Sequence, residues 1–214
     1  MTPRRRSSDA LSRDRIVDVA IEILDAEGES ALTFRTLARR LSTGPGAIYH
    51  HVAGKSELLA AATDTVVGHA LEGLADSDPR EAIRRLALAL FDAIDEHPWV
   101  GAHLGHDPWQ DAMLEIYEGV GGRLAPLGVP EAAQFFSASA LVSYILGVAG
   151  QNAANARMRH TAGRNEVLAG AAELWASRDP AAYPFLHRAA EQLRDHDDRE
   201  QFLAGIDLIL DGLG

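Results

Sequence analysis

Apolar residues recur at intervals of three and four along most of the chain and nowhere alternate as in a half-buried strand, so the pattern predicts an all-helical protein. A first helix opens at Ser12, carries Asp14 in its first turn and Ile16, Val19, Ala20, Ile23 and Leu24 on one face, and stops at Gly28. Thr33 caps a second, short helix that turns Phe34, Leu37, Ala38 and Leu41 inward and Arg35, Arg39 and Arg40 outward, ending by Ser42. Thr43, Gly44, Pro45 and Gly46 make a turn, and Ala47 to His51 then has room for one or two helical turns before Gly54. From Lys55 a longer helix keeps Leu58, Leu59, Ala62, Val66 and Ala70 in register to about Leu74.

Asp78 and Pro79 followed by Glu81 open a helix through Ile83, Leu86, Leu90 and Ile94, which His97 and Pro98 close. Asp107 and Pro108 repeat that signal for a helix through Met113, Ile116 and Val120. The helix from near Pro130 to about Ala156 is apolar on most sides, through Phe135, Phe136, Leu141, Val142, Tyr144, Ile145 and Val148, and needs partners on several faces. Starts at Asn165, at Asp179 with Pro180, and at Asp198 predict three more helices, and no internal repeat is present. The expected division is a flexible basic arm over residues 1–11, a compact head of short helices over 12–58 and a larger helical domain over 59–214.

Charge sharpens that division. The formal net charge of −11 looks hostile to nucleic acid, but residues 1–58 hold nine Arg or Lys against eight Asp or Glu, which leaves −12 for residues 59–214. One locally basic end, with Arg4, Arg5, Arg6, Arg35, Arg39, Arg40 and Lys55, can meet phosphates while the remainder repels them. With 47% hydrophobic residues in 214 the chain buries a core, and the absence of cysteine excludes disulfides, thiolate metal ligands and thiol nucleophiles. The longest apolar run, Ala138 to Ala149, is interrupted by Ser139, Ser143 and Gly147 and falls short of the roughly 20 residues a bilayer requires. The start is polar and basic, without the apolar stretch of a secretory signal, so a cytoplasmic protein without a membrane span is expected.

Two short helices joined by a tight glycine-containing turn form the pattern of a helix-turn-helix, in which one helix braces on the phosphate backbone while the next offers its N-terminal residues to base edges. The residues Leu32-Thr-Phe-Arg-Thr-Leu-Ala-Arg-Arg-Leu41, Gly44-Pro-Gly-Ala-Ile-Tyr-His-His-Val52 and Gly54-Lys-Ser-Glu-Leu-Leu59 are similar to the N-terminal domain of TetR-family repressors, over about residues 12 to 70. The Gly-Pro-Gly-Ala-Ile-Tyr stretch resembles the tetracycline-repressor-like subgroup, whose C-terminal domains are ligand-binding helical dimers. The resemblance implies that Thr33 and Arg35 open the bracing helix, that Pro45, Gly46 and Ala47 open the recognition helix, and that Tyr49, His50 and His51 reach phosphates and bases. It implies a phosphate contact for Lys55, the chain's one lysine. Near relatives often carry Trp where this chain has His50, and Gly46 and Ala47 offer little hydrogen bonding, so base readout falls to Arg35, Tyr49 and the histidines, with methyl contact from Ala47 to thymine. A competing reading makes Tyr49 a plug in the small core.

Histidines and aromatics gather at His97, Trp99, His103, His106, Trp109, Met113 and Tyr117, and in a TetR-like architecture they overlie a ligand cavity. Gln151, Asn152 and Asn155, on one face of the long helix, supply polar partners to the same small-molecule effector. Each of these residues is equally at home as ordinary packing. His103, His106 and Asp107 lack a second cluster at metal-ligand spacing, so no metal and no cofactor is expected. The rival classes are an enzyme using a His/Asp acid–base pair, for which no activated nucleophile or phosphate loop is present, and a helical interaction module without DNA binding. Apolar excess on the long helix and on the last one, at Phe202, Ile206, Ile209, Leu210 and Leu213, predicts a homodimer. The expected mechanism is release from operator DNA when an effector biases the helix after Lys55.

Overall fold

The computed structural model describes residues 11–74, 78–105, 110–159, 163–194 and 196–213, and among them the regular structure is eleven α-helices and one 3-10 turn, without a strand. The chain divides into two compact units, Met1–Gly73 with His97–Ile116, and Leu74–Glu96 with Tyr117–Gly214.

In the first unit, α1 (Arg13–Glu27) begins where the Ser12 hydroxyl accepts the Arg15 N–H at 3.1 Å, and ends at Gly28, whose φ of 77° favours glycine. A 3-10 turn (Glu29–Ala31) leads to α2 (Phe34–Arg40), capped by the Thr33 hydroxyl on the Thr36 N–H at 3.1 Å. Next come α3 (Pro45–Tyr49) and α4 (Lys55–Leu71). Ile16 and Ile23 of α1, Leu37 of α2, Ile48 of α3 and Leu58 of α4 are completely buried, each burial being worth about 1.5–3 kcal/mol. An additional short helix, α6 (Pro98–Leu104), packs on α1 and α4. Sequence pattern reads His97 and Pro98 only as a stop; proline at the first position of a helix is equally a start, because its missing N–H has no intrahelical partner to lose.

The second unit contains α5 (Pro79–Glu96), α8 (Glu131–Arg159), α9 (Arg164–Ala176), α10 (Pro184–Arg194) and α11 (Asp198–Asp211). The division between units falls inside α7 (Asp111–Gly121), after Ile116. Helices α5, α8 and α11 pack on one another around Phe202, whose ring lies 4.7 Å from that of Phe91 and 5.8 Å from that of Tyr144, while α9 and α10 pair as a hairpin. The expected helix start at Asp179 and Pro180 is a turn instead. The Asp179 carboxylate accepts the Ala181 N–H at 3.0 Å, its carbonyl accepts from Tyr183, and Pro184 disfavours helical backbone at the residue before it, so α10 starts at Pro184.

Helix α8 is longer than its interrupted apolar run suggests. By length and composition Glu131–Ala156 suffices to cross a membrane, because serines and glycines do not break a helix whose neighbours are apolar. One of its faces is buried, with Leu141, Val142 and Ile145, and the other exposes Phe135 and Phe136 at 70% and 72%, with Ala140, Ser143 and Gly147. On α11, Ala204 is exposed and Leu208 is 75% exposed.

Two contacts fix α11 in its unit. Arg80 and Arg84 on α5 both reach the Asp207 carboxylate, and these guanidinium groups hold its carboxyl below the usual range. A depressed carboxyl stabilises the fold above its unfolded value, about pH 4, and loses that contribution as pH falls through the folded one. Denaturant titrations between pH 6 and pH 3 should therefore show a steeper loss of stability in the wild type than in Asp207→Asn. Gly205 lies against Tyr144, whose hydroxyl donates to the Phe202 carbonyl at 3.2 Å, and a Cβ at position 205 would collide with that hydroxyl and ring. Gly205→Ala should cost about 1–3 kcal/mol through overpacking. The measurement is the thermal midpoint, and a part of the loss should return in Gly205→Ala with Tyr144→Leu.

Candidate functional site

Helix α3 has five residues, and its orientation is set by what flanks it. Ser42 takes a left-handed φ of 52° in the preceding turn, Gly44 caps the helix with extended backbone, and Pro45 fills its first position. Ile48 points into the core and is fully buried. That inward anchor leaves Pro45, Gly46, Tyr49 and His50 exposed, with Ala47 and His51 half-buried. Tyr49 is 55% exposed, and its ring stacks on Phe34 of α2 at 4.2 Å with planes 3° apart. Ile48, not Tyr49, therefore plugs the core, and the phenol is braced at the surface of α2. Phe34 is the functional neighbour that helical periodicity misses: it is half-buried, and its outer part forms the platform for Tyr49.

The cations differ in how far they are engaged. Arg35 and Arg39 are exposed, and neither makes an ion pair among the described residues. Arg40 reaches back to Glu27 at 2.6 Å and Glu22 at 3.9 Å on α1. Lys55 donates to the Glu29 carbonyl at 2.9 Å and pairs with the Glu29 carboxylate at 3.2 Å, so its ammonium is tied to the 3-10 turn. The Thr33 hydroxyl is occupied by the cap and by the Thr36 hydroxyl at 2.9 Å, while the residue itself remains exposed. The arm expected over residues 1–11 falls, except for Leu11, outside the described residues.

The candidates for effector binding separate into two groups. In the first unit, the His97 Nδ1 and Trp99 Nε1 both meet the same oxygen of Asp25 on α1, at 2.8 and 2.7 Å, which makes them a tie between α1 and the start of α6. His103 is half-buried, and its Nε2 is buried without a hydrogen-bond partner among the described residues. Asp64 on α4 accepts the Ala112 N–H at 2.9 Å, and burial raises its carboxyl above the ordinary value against the opposing pull of that hydrogen bond. Met113 is buried; His106 and Trp109 lie outside the described residues. In the second unit, Tyr117 is half-buried, and Gln151, Asn152 and Asn155 line a cavity of about 360 Å³. No cluster of three or more metal-ligating side chains occurs among the described residues.

Residues 16–62 match the family described as bacterial regulatory proteins, tetR family, and residues 73–214 match the tetracyclin repressor-like C-terminal domain. The chain belongs to the TetR family of transcriptional regulators. It is similar to the TetR regulator SCO7222 from Streptomyces coelicolor, with 52% identity, 95% of this chain and 98% of that one covered, and a TM-score of 0.88. ActR of the same organism, solved in complex with actinorhodin, is 25% identical, with 95% and 97% covered and a TM-score of 0.77. The HTH-type transcriptional repressor DrrR1 of Streptomyces coeruleorubidus is 26% identical over 99% of this chain and 80% of its own length. In this TetR regulator, α2 and α3 are the helix-turn-helix, and α8 belongs to the helical C-terminal domain. Family membership points to a DNA-binding regulator, not to an enzyme using a His/Asp pair or to an interaction module.

The engagement of Lys55 has a measurable consequence. Lys55→Ala should weaken operator and random duplex by a similar factor and lower the salt slope by about 1, as loss of a phosphate contact does. Glu29→Gln, which removes the competing carboxylate, should tighten both. Tyr49→Ala should reduce the ratio of operator to random affinity by roughly tenfold, about 1.4 kcal/mol, as measured by fluorescence anisotropy.

Proposed function

We propose that the protein is a homodimeric repressor that holds an operator through two α3 helices and releases it when a small-molecule effector binds the C-terminal unit. The observation that carries the reading is the exposed, braced Tyr49 on a short helix anchored by Ile48, beside Arg35 and Arg39. Thr33 and Lys55 serve as phosphate anchors, Arg35, Tyr49, His50 and His51 reach phosphates and bases, and Pro45, Gly46 and Ala47 open the recognition helix, within a reading head of residues 12–58. Residues 59–214 bind effector and dimerise, and the protein acts on double-stranded operator DNA in the cytoplasm. Dimerisation is supported by the face of Phe136, Ala140, Ser143 and Gly147 on α8 and of Ala204 and Leu208 on α11, an exposed apolar area of the kind that marks an interface. Two-fold pairing places the reading helices on half-sites about 34–36 Å apart, so the operator is close to palindromic.

Repression and release require that the effector bind the conformation unfit for DNA more tightly than the DNA-bound one; a tenfold preference supplies about 1.4 kcal/mol of coupling. ActR, solved with actinorhodin, supports a small organic molecule in that role. Operators selected from a pool of random duplexes should be palindromic, and log affinity should fall linearly with log salt. Light scattering should give twice the chain mass, and a single-chain mass at micromolar concentration or salt-independent binding would overturn the proposal.

A further inference from the structure

The cavity in the second unit has a chemistry that selects among effectors, and the inference drawn from it rests on the reading of the chain as an effector-responsive regulator. Its apolar wall is made by Phe91 of α5, Val148 of α8, Val167 and Leu168 of α9 and Leu193 of α10. Its polar side carries four carboxamides, Gln151, Asn152 and Asn155 on α8 and Gln201 on α11. Carboxamides donate and accept, so they pair with hydroxyl and carbonyl groups alike. Asn152 is held by donation of its side-chain N–H to Asp95 at 2.9 Å, which orients its carbonyl oxygen.

The remaining polar residues at the cavity, His196 and Asp198, are engaged with each other at 3.2 Å. Arg164 closes the charge balance: its guanidinium donates to the Asp198 carboxylate at 2.9 and 3.3 Å and to the His196 carbonyl at 2.6 Å. The one carboxylate among the described residues that line the cavity is thus already compensated. An anion entering would face Asp198, and a cation would compete with Arg164 for it. Either would lose hydration without gaining a counter-ion, which is costly in a half-enclosed apolar space. Volumes of about 300–1,000 Å³ are usual for small-organic sites, and this cavity lies at the lower end of that range.

We infer that the cavity lined by α5, α8, α11 and the α9–α10 hairpin is a binding site for an uncharged organic molecule bearing carbonyl or hydroxyl groups. The α8 carboxamides hydrogen-bond its oxygen atoms, and the hairpin supplies Val167, Leu168 and Leu193 to its apolar part. Selectivity comes from the absence of an unpaired charge among the described residues that line the cavity, so it operates on the ligand's charge state.

The test uses one ring system in three charge states, 1,4-dihydroxyanthraquinone, its 2-sulfonate and its 2-trimethylammoniomethyl derivative, titrated against the whole protein at pH 7 by intrinsic fluorescence quenching and equilibrium dialysis. The neutral compound should bind at least tenfold more tightly than either ion. Val167→Trp, at a position 40% exposed and therefore tolerant of a larger side chain, should fill the cavity and weaken it at least tenfold. Asn155→Asp should move preference from the neutral compound to the cation, and it carries the test alone if Val167→Trp lowers the melting temperature. Equal or tighter binding of an ion to the wild type, no binding of any of the three, or an unchanged order of preference in Asn155→Asp would overturn the inference. Gel shifts with selected operator on the same proteins separate the two claims: retained operator binding with a failed dye series leaves the regulator reading intact, whereas absent operator binding removes that reading whatever the dyes do.

Discussion

The insertion of Ile48 into the core of the first unit is the contact on which the reading head depends. A helix of five residues has no stability of its own, because nucleation fixes several residues for each hydrogen bond gained. Helix α3 exists because Pro45 pre-sets its first turn, and because Ile48 is buried in a unit whose core also holds Ile16, Ile23, Leu37 and Leu58. One inward residue fixes the rotation of the helix, and that rotation decides which side chains face outward. Tyr49 follows at once, and the Phe34 platform converts an exposed, freely rotating phenol into a directed one. Ordering the ring before binding lowers the entropy a complex must overcome.

Charge is arranged on the same principle. An acidic protein that binds DNA must keep its own carboxylates from neutralising the cations it needs. Here the division is by element: Arg40 is given to α1 through Glu27 and Glu22, where it secures the bracing helix, while Arg35 and Arg39 remain exposed on the solvent side of α2. Lys55 occupies an intermediate place, because its pairing with Glu29 positions the ammonium and also competes with phosphate. Exposed pairs of this kind are worth little, about 0–1 kcal/mol, so a phosphate can displace the carboxylate at small cost.

Local pattern made most of the architecture legible. Caps at Ser12 and Thr33, the glycine stop at Gly28 and the 3.6-residue spacing of Ile83, Leu86, Leu90 and Ile94 correspond to observed helix boundaries and buried faces, because those choices are made within a few residues. The helix-turn-helix was legible for a similar reason: α2 (Phe34–Arg40) and α3 (Pro45–Tyr49) are neighbours in sequence. What remained hidden depends on distant partners. Nothing near Lys55 in sequence announces Glu29, and nothing near His97 and Trp99 announces that both are held by Asp25. The start of α10 was misplaced because Asp179 has two competing uses, as a cap and as the corner of a turn, and Pro184 decided between them.

That same distance dependence separates the candidate effector residues. His97 and Trp99 belong to a tie that secures α6 to α1, a use that occupies the Trp99 Nε1 and the His97 Nδ1, whereas the carboxamides at 151, 152 and 155 of α8 meet the cavity together. Gln151, Asn152 and Asn155 lie within two turns of one helix and line the cavity together, whereas His97 and Trp99 are drawn to α1. Those carboxamides carry no charge, and the carboxylate beside them is neutralised from within the same unit by Arg164. Of the −12 carried by residues 59–214, only the Asp198 carboxylate lines the cavity among the described residues, and Arg164 pairs it. Under the proposed function, the acidity of residues 59–214 disfavours DNA there without setting the charge that the cavity accepts.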